Sequence, residues 1–248
     1  QRLRLAMESA NECSWELDVP SDRVDFRETA VQLLGYEPGE VQDTNAWWKE
    51  QLHPDDRQRV ERVVGDYLEG RTADYSCKFR LRHRDGQYIW IASNGRITQR
   101  DEKGEPVRMV GIHRDITAQR RTEEDVRSIF ELSPDLICIA DLRQGRFVRV
   151  NPAFEMTLGY SEQELLSTPF ADLIHPDDVR ATRSLMERML RQGKTVINYE
   201  NRYRCKDGSY RWLSWNSETR PQEGLCYAVA HDGTEQKMAQ KRQNQPMR

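Results

Sequence analysis

Asp85-Gly86-Gln87-Tyr88-Ile89-Trp90 reads as a hairpin corner followed by a strand with apolar side chains on both faces. Asp-Gly between alternating segments is a strong turn signal, because glycine adopts positive φ freely. The pattern returns as Asp207-Gly208-Ser209-Tyr210-Arg211-Trp212, 122 residues later. His53-Pro54-Asp55-Asp56 and His175-Pro176-Asp177-Asp178 repeat at the same offset. Leu34-Gly35-Tyr36 matches Leu158-Gly159-Tyr160, and Asp115-Ile116-Thr117 matches Asp232-Gly233-Thr234. Four motifs in one order, with offset changes confined to loops, describe two copies of a unit of about 115 residues. The second copy is five residues shorter between 212 and 232, which predicts a longer hairpin turn in the first.

Outward from these motifs, each copy opens on two strands. Trp15, Leu17 and Val19 alternate with polar residues, Pro20-Ser21-Asp22 turns, and Val24-Asp25-Phe26 returns. Copy two uses residues 136–140, a turn at Gly145, and residues 147–150. A short helical region follows, carrying Leu33 and Leu34, or Phe154, Met156 and Leu158. His-Pro-Asp-Asp then starts a longer helix, since proline suits the first turn and aspartates suit the positive end of the helix dipole. Val60, Val63, Val64, Tyr67 and Leu68 form one buried stripe, and Val179, Leu185, Met186, Met189 and Leu190 the other. Gly70 and Gly193 stop these helices. Three more strands close each copy; in the first they cover 75–82, 88–98 and 107–112. The predicted class is α+β: two domains, each a five-stranded antiparallel sheet with short helices on one face, joined by a helical linker.

The predicted boundaries are 1–118 for the first domain, with a flanking helix over Leu3, Met7 and Ala10, then 119–131 for the linker. The second domain covers 132–237, and 238–248 begins a C-terminal signalling helix or a disordered tail. Residues 118–130, capped by Thr117, contain no Pro or Gly and would make a rod of about 20 Å. Only Val126, Ile129 and Phe130 interrupt the linker's charges, so it needs a partner helix or a sheet face.

Of 248 residues, 37% are hydrophobic and 32% charged, a balance that suits two small domains with much surface. Thirty-eight basic against 41 acidic side chains give a net charge of −3 and no electrostatic case for nucleic acid. No apolar run approaches the roughly 18–20 residues that cross a bilayer, so no membrane contact is expected in this stretch. Cys13, Cys77, Cys138, Cys205 and Cys226 are odd in number and widely spaced, with no Cys-x-x-Cys. They read as small apolar side chains in a reducing cytoplasm, without a zinc site.

The four repeated motifs together resemble the PAS domain with its C-terminal PAC motif, a sensory fold of signalling proteins. Gly233 stands where that family usually has isoleucine. The resemblance implies a sensory input module without catalytic residues or a metal site. It would pass a ligand, redox or partner signal through helical linkers to an output domain outside this chain, a histidine kinase or a diguanylate cyclase. A ligand-free dimerisation scaffold is the alternative.

By resemblance, Phe79, Leu81, Ile89, Ile91, Met109 and His113 face a pocket in copy one, and Tyr199, Tyr203, Leu213, Trp215 and Ala230 in copy two. The second pocket, richer in aromatic rings and hydroxyls, is the one expected to suit a planar or polar molecule; a packed core is the competing reading for both. His113 is the sharpest ligand-sensing candidate, against a core histidine bonded within the interior. Tyr88, Trp90 and Trp212 point outward, under flanking helices or a homodimer interface. Asp115, Ile116, Thr117, Asp232 and Thr234 form the signal junctions. No tightly bound cofactor is expected. A photoreactive flavin needs a cysteine in an Asn-Cys-Arg-Phe-Leu-like segment, which is missing here; non-covalent flavin and haem remain open. His53 and His175 precede prolines at a helix start, where an extended surface position is expected.

Overall fold

Alternation builds the first strand: Cys13, Trp15 and Leu17 are buried and their neighbours are not. The computed structural model describes residues 12–26, 33–37, 39–193 and 195–243. The expected helix over Leu3, Met7 and Ala10 and the tail 244–248 lie outside the described residues. The chain divides between Glu123 and Glu124 into two compact units.

The first unit contains β1 (Glu12–Asp18), β2 (Arg23–Asp25), α1 (Asn45–Gln51), α2 (Pro54–Leu68), β3 (Tyr75–Arg82), β4 (Tyr88–Arg100) and β5 (Pro106–Asp115). From its end runs α3 (Thr117–Leu132). The second contains β6 (Leu136–Asp141), β7 (Arg146–Val150), α4 (Ala153–Leu158), α5 (Glu162–Ser167), α6 (Phe170–Leu173), α7 (Pro176–Gln192), β8 (Val196–Arg204), β9 (Tyr210–Arg220), β10 (Leu225–Asp232) and α8 (Thr234–Gln243). Both sheets have five antiparallel strands in equivalent orders, β2-β1-β5-β4-β3 and β7-β6-β10-β9-β8. The last strand of each unit is therefore central, beside the first, with the helices inserted between the second and third strands. Each unit is α+β, and the two are built to one plan.

Local chemistry explains the boundaries. Thr44 accepts the Trp47 amide to start α1, and Ser161 with Glu164 forms a reciprocal capping box on α5. His53 and His175 cap α2 and α7 through Nδ1, each accepting the amide two residues on at 3.2 Å. They are half-buried, in edge-to-face contact with Tyr88 and Tyr210 at centroid distances of 4.5 and 4.7 Å, rather than on the open surface expected from sequence. Gly193 ends α7 at φ 62°, a conformation an L side chain rarely adopts. The length difference between copies is mostly strand rather than turn. β4 and β5 have 13 and 10 residues against 11 and 8 in β9 and β10.

Each sheet carries one tryptophan across its inner face, from a different strand. In the first unit Trp15 on β1 faces Gly111 on β5, which in turn faces Gly95 on β4. The two glycines leave a flat floor for the indole. In the second, Cys138 and Ala228 occupy the first two of those positions, and the ring comes instead from Trp215 on β9, opposite Ala230. Phe79, Ile91 and Val60 complete one core, and Phe154, Leu173 and Leu213 the other, all essentially inaccessible. All five cysteines are free and buried. Among the described residues no helix is long and apolar enough to cross a membrane.

A methyl at Gly111 would overlap the Asn94 carbonyl oxygen and the Trp15 ring. Gly111→Ala is therefore expected to cost about 1–3 kcal/mol in urea denaturation. Gly65, inside α2 with open space where its Cβ would stand, should behave oppositely: Gly65→Ala gains about 0.5–1 kcal/mol. Equal effects of the two substitutions would contradict this packing.

Candidate functional site

A carboxylate at the start of each long helix holds an arginine of the neighbouring strand. Arg80 donates to Asp56 from its backbone N–H at 3.0 Å and from Nε at 2.9 Å, and Arg59 adds a further bond at 3.1 Å. Burial acts to raise the Asp56 pKa, but these donors outweigh it and hold the carboxyl at about 2. Asp178 and Arg202 repeat the bracket, with backbone, Nε and Nη2 bonds at 2.9, 2.9 and 2.8 Å. Those bonds hold Asp178 below the usual carboxylate range. The guanidinium of Arg80 then lies over the Trp90 ring at 5.2 Å, and that of Arg202 over Trp212 at 5.2 Å.

The same tryptophans meet the exit helices. Ile116 donates its N–H to the Trp90 carbonyl at 2.9 Å, and Trp90 donates its own N–H to Thr117 Oγ1 at 2.9 Å. In the second unit Gly233 donates to the Trp212 carbonyl, and Trp212 to Thr234 Oγ1, again at 2.9 Å. The Thr117 hydroxyl thus accepts from the sheet. The carboxylates that receive the helix-starting amides are Asp115 and Asp232, at 2.7 and 2.9 Å from the Thr117 and Thr234 nitrogens. Capping by Thr117, expected from sequence, is corrected to capping by Asp115. Gly233 keeps the backbone bond that Ile116 makes, so its smaller side chain leaves this ladder intact. Arg120 of α3 lies over Trp90 at 3.9 Å, and Lys237 of α8 over Trp212 at 5.6 Å. Trp90 and Trp212 are half-buried, and Tyr88 is partly exposed beside His53.

The interiors differ. In the first unit a cavity of about 260 Å³ is lined by Trp15, Trp48, Tyr75, Met109 and His113 with further apolar side chains, and by Asp22, Asn45, Lys49 and Glu61. Phe79, Leu81, Ile89 and Ile91 lie off its wall; the first, second and fourth are sealed in the core behind it, and Ile89 packs half-buried against it. The Nε1–H groups of Trp15 and Trp48 are buried without a hydrogen-bond partner, each costing about 1–3 kcal/mol. Burial also lowers the His113 pKa to about 3, so this imidazole is neutral. The equivalent space between sheet and long helix in the second unit is only about 60 Å³. There Trp215 donates to Asn201 at 2.8 Å, Asn201 donates to Thr182, and Thr182 bonds Tyr199 at 2.8 Å. Tyr199, Tyr203 and Trp215 line that space, whereas Leu213 and Ala230 are closed off in the core. Among the described residues no group of three His, Cys, Asp or Glu side chains could hold a metal ion.

Sequence reasoning missed Arg80, Arg202 and Asn201. The signal for the arginines was the repeat itself, because Asp56 and Arg80 stand 24 residues apart, as do Asp178 and Arg202.

Asp56→Asn keeps the shape and removes the charge, and is expected to cost about 1–3 kcal/mol in urea denaturation. Acidification removes two supports in separate windows. His113 has an ordinary value of 6.5 and a native value of about 3, so below about pH 6.5 the unfolded chain binds a proton the native state refuses. Stability falls with pH from there. Asp56, native value about 2 against 3.8, keeps its contribution until pH drops below about 4 and loses it near 2. His113→Gln should therefore flatten the stability slope between about pH 6 and 4, and Asp56→Asn should leave that slope unchanged. An unaltered slope in His113→Gln would refute the buried neutral imidazole.

Comparison with known proteins meets this geometry. The PAS fold family matches residues 23–113 and 147–229. The two-component sensor PprA of Pseudomonas aeruginosa is 28% identical over 230 residues, covering 87% of this chain and 24% of that protein. The sensor protein FixL of Bradyrhizobium diazoefficiens is 28% identical over 173 residues, 67% of this chain and 34% of its own length. The probable diguanylate cyclase DgcE of Escherichia coli is 25% identical over 184 residues, 71% of this chain and 16% of its own. The chain thus spans about a third or less of each of these relatives. A sensory box histidine kinase/response regulator structure from Burkholderia thailandensis is 33% identical, covers 51% of this chain and 93% of that one, and superimposes with a TM-score of 0.45. With both repeats matched and both sheets built to one plan, the chain belongs to the PAS fold family, carrying the fold twice in tandem.

Proposed function

We propose that this tandem is a cytoplasmic input module whose units sense a ligand, redox change or partner and pass it through their exit helices to an output domain of a longer protein. The observation that carries this reading is the bond from the Trp90 amide to Thr117 Oγ1, repeated from Trp212 to Thr234. A shift of β4 moves an amide that holds the first residue of α3, so sheet and helix cannot move independently. Couplings of this kind are typically about 1–3 kcal/mol. The sensor and cyclase names of the relatives support an output of either kind, histidine kinase or diguanylate cyclase. Catalysis belongs to that output, not to these two units.

Neither flavin nor haem is part of the proposal. The larger interior, about 260 Å³, falls below the roughly 300–1,000 Å³ of ordinary ligand pockets. A compact small molecule suits it better. Homodimerisation has an observation of its own. Val126, Ile129 and Leu132 on α3 are 60%, 67% and 80% exposed, and an apolar stripe on a charged helix gains by pairing with a second copy. If the pairing were the whole function, the tandem would be a scaffold.

In the longer protein, Asp115→Ala and Thr117→Ala are expected to change basal output or its response severalfold, read as autophosphorylation or cyclic dinucleotide synthesis. Unaltered output in both variants overturns the coupling. Native mass spectrometry separates the readings: a bound small molecule supports sensing, and a reproducible empty dimer supports the scaffold.

A further inference from the structure

We infer that α8 is a strap held to the second sheet by one charged side chain, so that ionic strength releases it from Glu235 onward, whereas α3 is pinned to the first sheet and stays. The inference goes beyond the relay reading above, since it says which of the two exits is adjustable and by what physical force.

The two exits share their backbone ladder and differ in their anchors. At the start of α3 the Ile116 side chain is 6% exposed and ties the helix to the first unit. Gly233 offers no such group. A methyl there would meet nothing nearer than the Trp212 carbonyl oxygen at 3.9 Å, and φ at this glycine is not positive, so neither space nor backbone demands glycine. Burying an isoleucine favours a docked state roughly ten- to hundredfold. The second exit lacks that contribution.

Beyond the anchor each helix lays one cation on its sheet, three residues after the threonine. The Arg120 guanidinium lies 3.9 Å over the Trp90 ring, and the Lys237 ammonium stands 5.6 Å from the Trp212 centroid. The neighbouring strands differ in sign. Lys237 reaches Glu200 of β8 at 2.6 Å. The matching residue of β3 is Lys78, which offers Arg120 no countercharge. From Glu235 to Gln243 every other described side chain is exposed, Met238 included, so this stretch of α8 buries nothing apolar. A helix polar all round needs support from outside. Here the support is an ion pair whose members are 33% and 41% exposed. Such a pair shifts an equilibrium by up to about fivefold, and salt screens it. Apolar burial at Ile116 is not screened. Thr234 itself stays on the sheet through its bond from Trp212, so release begins at the next residue.

The test uses the whole chain and two equivalent amides. Arg120 donates to the Ile116 carbonyl at 2.9 Å, and Lys237 to the Gly233 carbonyl at 3.0 Å. Their hydrogen exchange is followed by two-dimensional NMR at about 0.1 M and about 1 M sodium chloride, where charges are screened beyond roughly 10 and 3 Å. Salt is expected to accelerate exchange at Lys237 about two- to fivefold relative to Arg120. Glu200→Gln should show that acceleration already at low salt and lose the salt response. Gly233→Ile should slow exchange at Lys237 about tenfold or more. Exchange at Leu213, sealed in the core, reports in each variant that the second unit is folded. Equal salt responses at the two amides overturn the inference. So does wild-type exchange at Lys237 in Glu200→Gln, or no slowing in Gly233→Ile. Neither a ligand nor an output domain enters this experiment, so its failure leaves the junction test in the longer protein standing, and failure of that test leaves the strap standing.

Discussion

Each unit hangs on a carboxylate that a helix start and a strand hold in common. Asp56 must be ionised and partly buried at the first turn of α2, which water would oppose if Arg80 did not present a guanidinium fork and a backbone amide together. Lysine would not serve, since a single ammonium lacks the planar pair of donors and stacks poorly on an indole. Through that arginine the helix reaches Trp90, and through the Trp90 amide the sheet reaches Thr117. The second unit repeats every link with Asp178, Arg202, Trp212 and Thr234. Two independent occurrences of one chain of contacts make it a property of the scaffold rather than a packing accident.

What lies inside that scaffold is free to vary, and it has. The first unit takes its tryptophan from β1 and clears room with Gly95 and Gly111; the second takes it from β9 and ties it to Asn201. Fold-forming positions are shared while interior chemistry is not, so one unit retains space and unpaired donors and the other closes on itself.

Much of this was legible in the residues. The strand count followed from hairpin corners and the repeat, and Asp115, Thr117, Asp232 and Thr234 were readable as residues of the strand-to-helix junctions. The arginines were not readable singly: on an alternating strand a charged residue looks like solvated surface, and its carboxylate partner lies on another element. The volume of each interior was not readable from the residues. Tyr199, Tyr203 and Trp215 suggested a polar pocket, and they line a space of only about 60 Å³ in which Trp215 and Tyr199 are bonded to Asn201 and Thr182. Such space depends on cross-strand register, which a linear sequence does not display.

Amide hydrogen exchange at Trp90 tests the central coupling most directly. Thr117→Val preserves shape and deletes the hydroxyl acceptor. The account predicts that exchange at Trp90 and at the first turn of α3 accelerates up to about tenfold, the worth of one hydrogen bond, while Trp212 keeps its rate. Wild-type protection at Trp90 in that variant would mean that sheet and exit helix are not joined there, and the coupling would be wrong.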